Sequence, residues 1–120
     1  MAQILIIEDE SNIRQLVKEI VESIGHEATI AANGQEGIEA YRKDPVDLVI
    51  TDIVMPEKDG VETIRELKHH HPNVKVIAIT GYRGQYNRLP AAEYVGAQKT
   101  LVKPFAKSDL VDAVKQLLSD

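Results

Sequence analysis

The chain has 120 residues, of which 43% are hydrophobic and 28% charged, as expected for one ordinary globular domain rather than a disordered chain. It contains no cysteine, which excludes disulfides and thiolate metal sites. The 14 basic and 19 acidic residues give a net charge of −5, and an acidic chain without a basic stripe argues against direct nucleic-acid binding.

The first half of the chain alternates short β-branched runs with helical periods. Residues 3–7 are almost continuously Ile and Leu, which indicates a strand buried on both faces. A helix follows, and Gly25 is well placed to end it. Residues 27–32 predict a weaker strand, and residues 34–43 predict a helix that buries Ile38, Ala40 and Tyr41. The apolar stripe of the first helix consists of Ile13, Leu16, Val17, Ile20, Val21 and Ile24.

The middle of the chain repeats this alternation. Residues 47–51 predict a third strand, and the loop after it contains Gly60, which we interpret as a turn residue. The third helix ends at Pro72 and buries Val61, Ile64 and Leu67. Residues 74–80 then predict a strong fourth strand.

The last quarter of the chain is less regular at first. Glycines and a proline limit helix length between residues 81 and 98, where we expect one short helix at about 90–94. Residues 100–102 predict the last strand. Ser108 can cap a final helix. The apolar residues of that helix are Leu110, Val111, Val114, Leu117 and Leu118.

Five strands alternating with five helices predict an α/β fold, a doubly wound five-stranded parallel sheet of flavodoxin-like architecture with helices on both faces. We expect a single domain over residues 1–120, with no room for an output domain after the last helix. The longest apolar runs, 4–7 and 76–79, are far shorter than the about 20 residues that a membrane-spanning helix needs. No signal peptide precedes them, so we expect a cytoplasmic protein without membrane contact.

Ligands of such sheets bind at the carboxyl ends of the strands, and four predicted strand ends carry polar side chains. Carboxylates about 4 Å apart repel by roughly 4 kcal/mol at an effective dielectric near 20, so a cluster of them raises one pKa or binds a cation such as Mg²⁺. The residues are Glu8, Asp9 and Glu10 after the first strand, Asp52 after the third, Thr80 at the end of the fourth and Lys103 after the fifth.

This set of side chains is suited to phosphoryl transfer. Asp52 can act as a carboxylate nucleophile toward phosphorus, while the Lys103 ammonium and the Thr80 hydroxyl can hold phosphoryl oxygens. None of the four histidines stands at a strand end, so no Ser/His or Cys/His pair can form. His69, His70 and His71 are consecutive and point in different directions on a helix, which we interpret as solvated surface rather than a metal site.

The sequence resembles the receiver domains of two-component response regulators over nearly its whole length. The resemblance rests on ILIIEDE at 4–10, DLVITDIVMPEKDG at 47–60, IAITG at 77–81 and GAQKTLVKPF at 96–105. It implies that Asp52 accepts a phosphoryl group from a histidine kinase or phosphotransfer protein. It further implies a protein–protein readout through the face near residues 81–105, in a monomer or a phosphorylation-dependent dimer.

The resemblance also assigns the other site residues. Mg²⁺, or Mn²⁺ in its place, would be bound by Asp9, Asp52 and the Val54 carbonyl, with Glu8 acting through water. Thr80 and Lys103 would hold phosphoryl oxygens, and the Lys103–Pro104 bond would be cis.

One departure from the family concerns the output. Receiver domains usually carry an aromatic residue three positions before the lysine, where this chain has Thr100. The aromatic rotation that accompanies phosphorylation in the family therefore cannot occur in its usual form. Tyr82, Tyr86 and Tyr94 lie nearby in sequence and could offer a substitute contact.

Three alternatives to a phosphorylated switch stay open. A receiver-fold scaffold with vestigial phosphorylation is compatible with Thr100. A small phosphatase with an aspartyl-phosphate intermediate would normally have an Asp-x-Asp pair at the first strand, which residues 8–10 do not supply. A flavin binder of the same architecture would need a Ser/Thr/Gly-rich phosphate loop there, which is also absent.

Overall fold

The structure is a computed structural model that describes residues 1–55, 59–81 and 89–119. No helix in these ranges is long and apolar enough to cross a membrane. The elements alternate as the sequence predicted. They are β1 (Gln3–Ile7), α1 (Ser11–Ser23), β2 (Glu27–Ala31), α2 (Gly34–Lys43), β3 (Leu48–Asp52), α3 (Gly60–His70), β4 (Val76–Thr80), α4 (Leu89–Tyr94), β5 (Lys99–Val102) and α5 (Lys107–Leu118).

The five strands form one parallel sheet in the order β2-β1-β3-β4-β5. The order reverses after β1, which pairs with β2 on one side and with β3 on the other. In the register of the sheet, Ile7 lies opposite Thr51, and Asp52 lies opposite Ile79. The carboxyl ends of β1, β3 and β4 therefore lie side by side. The strand order reverses between β1 and β3, which is where ligands bind in sheets of this kind.

A hydrophobic core covers each face of the sheet. Successive strand residues point to opposite faces, so Leu5 and Ile7 pack under α2, α3 and α4, while Ile4 and Ile6 pack under α1 and α5. All four side chains are buried, and each such burial stabilises the fold by about 1.5–3 kcal/mol. The prediction of a doubly wound sheet is confirmed, and its strand order and register place the strand ends together at the carboxyl edge.

Several boundaries differ from the sequence prediction. β3 begins and ends one residue later than expected and includes Asp52. β4 begins at Val76 rather than at residue 74, because the Val74 amide closes a turn by donating to the His71 carbonyl at 3.0 Å. Val74 is nevertheless buried in the core, which explains why its pattern resembled a strand.

The assignment of Ser108 as the cap of the last helix was wrong. α5 begins at Lys107, and Ala106 occupies the N-cap position. Ala106 has no side chain that can accept a hydrogen bond, but its amide donates to Asp109 Oδ2 at 3.3 Å. The carboxylate of Asp109, in the first turn, thus satisfies a terminal amide at this helix end.

Candidate functional site

Three carboxylates converge at the carboxyl edge of the sheet. Glu8 and Asp9 follow β1, Asp52 ends the neighbouring β3, and each offers an oxygen within 4.8 Å of the other two. Glu8 is 3% exposed and Asp52 5% exposed, whereas Asp9 is accessible to solvent. The structure thus brings together the acidic residues that the strand-end argument selected.

Lys103, directly after β5, reaches across the edge of the sheet to this cluster. Its Nζ lies 2.9 Å from Glu8 Oε1, 3.6 Å from Asp52 Oδ1 and 3.9 Å from Glu10 Oε1. Burial lowers the pKa of Lys103, but the hydrogen bond to Glu8 and the charge of Asp52 outweigh it, so the net shift is upward. Lys103 therefore stays a cation shared among the carboxylates.

One lysine does not neutralise the cluster. Burial and the charge of Asp52 raise the pKa of Glu8 to about 7, against the lowering effect of the Lys103 bond. Burial also raises the pKa of Asp52, opposed by Lys103 and increased further by Asp9. Without another cation, the cluster tends to retain a proton near neutral pH.

Asp52 Oδ1 is buried and has no hydrogen-bond partner among the described residues. Leaving a buried acceptor unsatisfied costs about 1–3 kcal/mol, and Asp52 offers an oxygen within 4.8 Å of oxygens of Glu8 and Asp9. An anionic, all-oxygen donor set is what a hard divalent cation such as Mg²⁺ prefers. The residues present therefore fit a magnesium site.

The remaining predicted residues lie around this cluster. Thr80 ends β4, is fully buried, and its carbonyl accepts a hydrogen bond from the Lys103 amide at 2.7 Å. Val54 is two residues after Asp52 and 53% exposed. Together with Glu10 and Gly81, the side chains of Val54, Asp52 and Lys103 line an open cavity of about 260 Å³. The cavity gives a small group access to Asp52 from solvent.

Gly60 has a different role from the turn residue that the sequence suggested. It begins α3, and its amide donates to the Ile53 carbonyl at 2.7 Å. A Cβ atom at this position would collide with the Asp52 carbonyl oxygen and with the Ile53 backbone. Gly60 is required for close approach of two backbones. No local pattern in the sequence indicates this role, because the contact joins the start of α3 to the end of β3.

The residues proposed for output fall in different places. Thr100 lies in β5, is half-buried, and lines a shallow groove against α5. Tyr82 and Tyr86 lie outside the described residues. Tyr94 is 91% exposed, so a substitute aromatic contact is not formed by its side chain here. The Lys103–Pro104 peptide bond is cis, as the resemblance implied.

The three histidines at the end of α3 do not form a metal site. Among the described residues, only Glu8, Asp9 and Asp52 bring together three potential metal-binding side chains. His69 and His70 are exposed, as expected. His71 is half-buried, with its ring centroid 4.6 Å from that of Tyr41, so the interpretation as solvated surface was wrong for this residue.

Comparisons with known proteins identify relatives over nearly the whole chain. The family described as "Response regulator receiver domain" matches residues 4–115. The chemotaxis protein CheY of Halobacterium salinarum is 36% identical, over 98% of this chain and 97% of its own. A receiver domain protein from Clostridium thermocellum superposes with a TM-score of 0.92 at 35% identity, covering 99% of this chain and 95% of its own.

A third relative is the response regulator TrrA from Thermotoga maritima, whose structure was determined in complex with Mg²⁺ and BeF. It is 36% identical and superposes with a TM-score of 0.88, covering 98% of this chain and all of its own. Sequence and structure comparisons thus point to the same family.

Proposed function

Because the chain belongs to the response regulator receiver family, we propose that it is a phosphoacceptor switch in which Asp52 takes a phosphoryl group from a histidine kinase or phosphotransfer protein. The proposed module covers residues 1–120 as one receiver domain and acts in the cytoplasm. Its output is binding to a downstream protein, as a monomer or a phosphorylation-dependent dimer.

The observation that carries this proposal is the environment of Asp52 Oδ1. This oxygen is buried, lacks a hydrogen-bond partner among the described residues, and lies 3.6 Å from the Lys103 ammonium. The residue Asp52 also lines the open cavity, together with Val54 and Gly81. An electrophile that enters this cavity would meet Asp52, and the Lys103 ammonium would offset the negative charge that it brings.

The proposed step is attack by an oxygen of Asp52 on the phosphorus of a phosphohistidine. A P–O bond forms to Asp52 while the P–N bond breaks, and the imidazole leaves with the electron pair and later takes a proton from solvent. Lys103 would turn from Glu8 to a phosphoryl oxygen, and the Thr80 hydroxyl would donate to another. Such transfer depends mostly on positioning and charge neutralisation, which these residues would supply.

Mg²⁺, or Mn²⁺ in its place, would be held by Asp9, Asp52 and the Val54 carbonyl, with Glu8 acting through water. When bound, it would supply positive charge to the phosphoryl oxygens and offset the repulsion among the carboxylates. Glu8 and Asp52 would then ionise at neutral pH, because a nearby cation lowers the pKa of a carboxyl group.

Water attack on the phosphorus would reset the switch, releasing inorganic phosphate and restoring the Asp52 carboxylate. Val54 and Glu10 border the cavity through which that water must enter. A domain that performs only this transfer and the hydrolysis of its own phosphoaspartate is a signalling domain rather than an enzyme with a turnover substrate.

The test is to incubate the protein with acetyl phosphate and Mg²⁺ and to record its intact mass. We expect one phosphoryl adduct that is lost in Asp52→Asn and in the presence of EDTA. Asp47→Asn is a matched control, because Asp47 directly precedes β3 and so lies at the opposite end of this strand from Asp52. There it accepts a hydrogen bond from the Gln3 amide. This variant should retain the adduct.

The other outcomes identify the alternatives. No adduct in the unmodified protein would contradict the proposal and favour a receiver-fold scaffold with vestigial phosphorylation. Continuous release of phosphate from small phosphate esters would favour a phosphatase with an aspartyl-phosphate intermediate. An adduct that survives Asp52→Asn would place the acceptor on another residue.

A further inference from the structure

Arg14 donates a hydrogen bond to the backbone of the acidic segment at residues 8–10. It lies near the start of α1, is half-buried, and its Nη1 donates to the carbonyl oxygen of Glu8 at 2.9 Å. Its own amide donates to the Glu10 carbonyl at 2.9 Å as part of the helix start. The guanidinium thus reaches back from the helix to the peptide that joins Glu8 to Asp9.

Each polar group of Glu8 has a partner. Its amide donates to the Ala31 carbonyl at 3.0 Å, and its carbonyl accepts from Arg14. Its Oε1 accepts from Lys103 at 2.9 Å, and its Oε2 accepts from the Glu10 amide at 3.1 Å. Arg14 is the partner of the Glu8 carbonyl, which lies just beyond the end of β1.

A fixed carbonyl also fixes the residue that follows. The peptide unit is planar, so holding the Glu8 oxygen sets the orientation of the Asp9 amide. The direction in which the Asp9 side chain leaves the backbone then has much less freedom. Asp9 is the member of the carboxylate cluster that is accessible to solvent, and it gains the most from being held in place.

We propose that Arg14 is a positioning residue for the divalent cation: by holding the Glu8 carbonyl, it orients Glu8 and Asp9 toward Asp52. This role rests on the proposed function, since it requires that the carboxylate cluster bind the cation. It concerns no atom of the phosphoryl group, so Arg14 is not a catalytic residue.

A charge effect and a positioning effect of Arg14 predict opposite changes in the affinity for a divalent cation when its guanidinium is removed. Arg14 carries a positive charge close to an anionic site, and removing that charge should by itself tighten the binding of a divalent cation. Loss of positioning should weaken binding, because removal of an outer partner of metal-binding groups typically reduces affinity by about tenfold or more. The sign of the change therefore separates the two explanations.

The experiment measures Mn²⁺ binding to the full chain by the electron paramagnetic resonance signal of the free ion. For Arg14→Gln we expect about tenfold weaker binding. Arg14→Lys keeps the charge and one donor but loses the planar fork, so we expect an intermediate affinity. Lys18→Gln is the matched control: it removes the same charge from the same helix, where Lys18 pairs with Glu22 at 3.2 Å. Its affinity should not fall.

Thermal unfolding in EDTA accompanies each variant and reports folding without metal. Unchanged or tighter Mn²⁺ binding by Arg14→Gln would overturn the positioning role, including the case in which only its stability falls. A Lys18→Gln variant weakened equally would also overturn it. If the unmodified protein binds no Mn²⁺, the proposed function fails together with this inference; if it binds Mn²⁺ and is phosphorylated, only the role of Arg14 is at stake.

Discussion

Gly60→Ala tests whether the start of α3 requires close backbone contact with the end of β3. The added Cβ would lie 2.5 Å from the Ile53 Cα and 3.0 Å from the Asp52 carbonyl carbon, and it would also collide with the Asp52 carbonyl oxygen. Ordinary contacts between such atoms are about 3.5–4.0 Å. The obstacle is backbone rather than a flexible side chain, so α3 or the end of β3 must move by about 1 Å.

Two effects of opposite sign decide the result. Replacing glycine by alanine in the interior of a helix stabilises by about 0.5–1 kcal/mol, which is an upper limit for Gly60 because it is the first residue of α3. Forcing an extra methyl group into a packed site costs about 1–3 kcal/mol, and the backbone obstacle places this case in the upper part of that range. We expect a net loss of about 1–2 kcal/mol in the free energy of unfolding, together with slower phosphorylation, because the displaced strand end carries Asp52.

Urea unfolding followed by far-ultraviolet circular dichroism measures this loss. With a slope of about 2 kcal/mol per molar urea, the midpoint should fall by about 0.5–1 M. Gly81→Ala is the control at the same edge of the sheet, because its Cβ would lie 3.6 Å and 3.7 Å from Lys103 carbons, an ordinary contact. A Gly60→Ala midpoint equal to or above that of the unmodified protein would refute the steric argument.

Three further predictions concern charge and packing. Burial chiefly raises the pKa of Glu8 to about 7, so metal-free protein should lose stability as pH rises from the unfolded-state value through about 7. Glu8→Gln should therefore raise the free energy of unfolding at pH 8 by at most about 3 kcal/mol, measured by urea titration. The increase at pH 5 should be much smaller, and an equal increase at the two pH values would contradict this prediction. Lys103→Met should tighten Mg²⁺ binding in calorimetric titrations but prevent accumulation of the phosphoryl adduct, and unchanged phosphorylation would count against its proposed role. Leu110→Ala, at a fully buried position, should lower the free energy of unfolding by about 2–5 kcal/mol without changing Mg²⁺ affinity.

The architecture could be predicted because the strands of a parallel sheet have a simple pattern. Residues 4–7 and 76–79 are buried on both faces of the sheet, and such strands appear in a sequence as continuous apolar runs. Helical periods between them leave few possible arrangements. The predicted ends of the strands and helices were less accurate, because single hydrogen bonds determine where an element begins. One example is the bond from the Val74 amide to the His71 carbonyl.

The main residues of the site could be predicted for a related reason. Topology places the ends of β1 and β3 side by side, so Glu8, Asp9 and Asp52 converge whatever their exact side-chain angles. Contacts that depend on loop geometry could not be predicted. The close approach of Gly60 to the end of β3 and the hydrogen bond from Arg14 to the Glu8 carbonyl depend on exact three-dimensional positions, which the spacing of residue types does not indicate.

The geometry of β4 and β5 indicates how the proposed switch can work with Thr100 in the usual aromatic position. The Lys103 amide donates to the Thr80 carbonyl at 2.7 Å, so the two residues expected to hold phosphoryl oxygens are already joined through the backbone. Phosphorylation adds about −1.5 to −2 charge beside them. A displacement of either residue would therefore move the other, and with it the end of β5. This strand lies at the edge of the sheet, and its residues are all half-buried. We therefore expect the phosphoryl group to act on β5 through this backbone hydrogen bond, in place of the aromatic rotation that Thr100 cannot make.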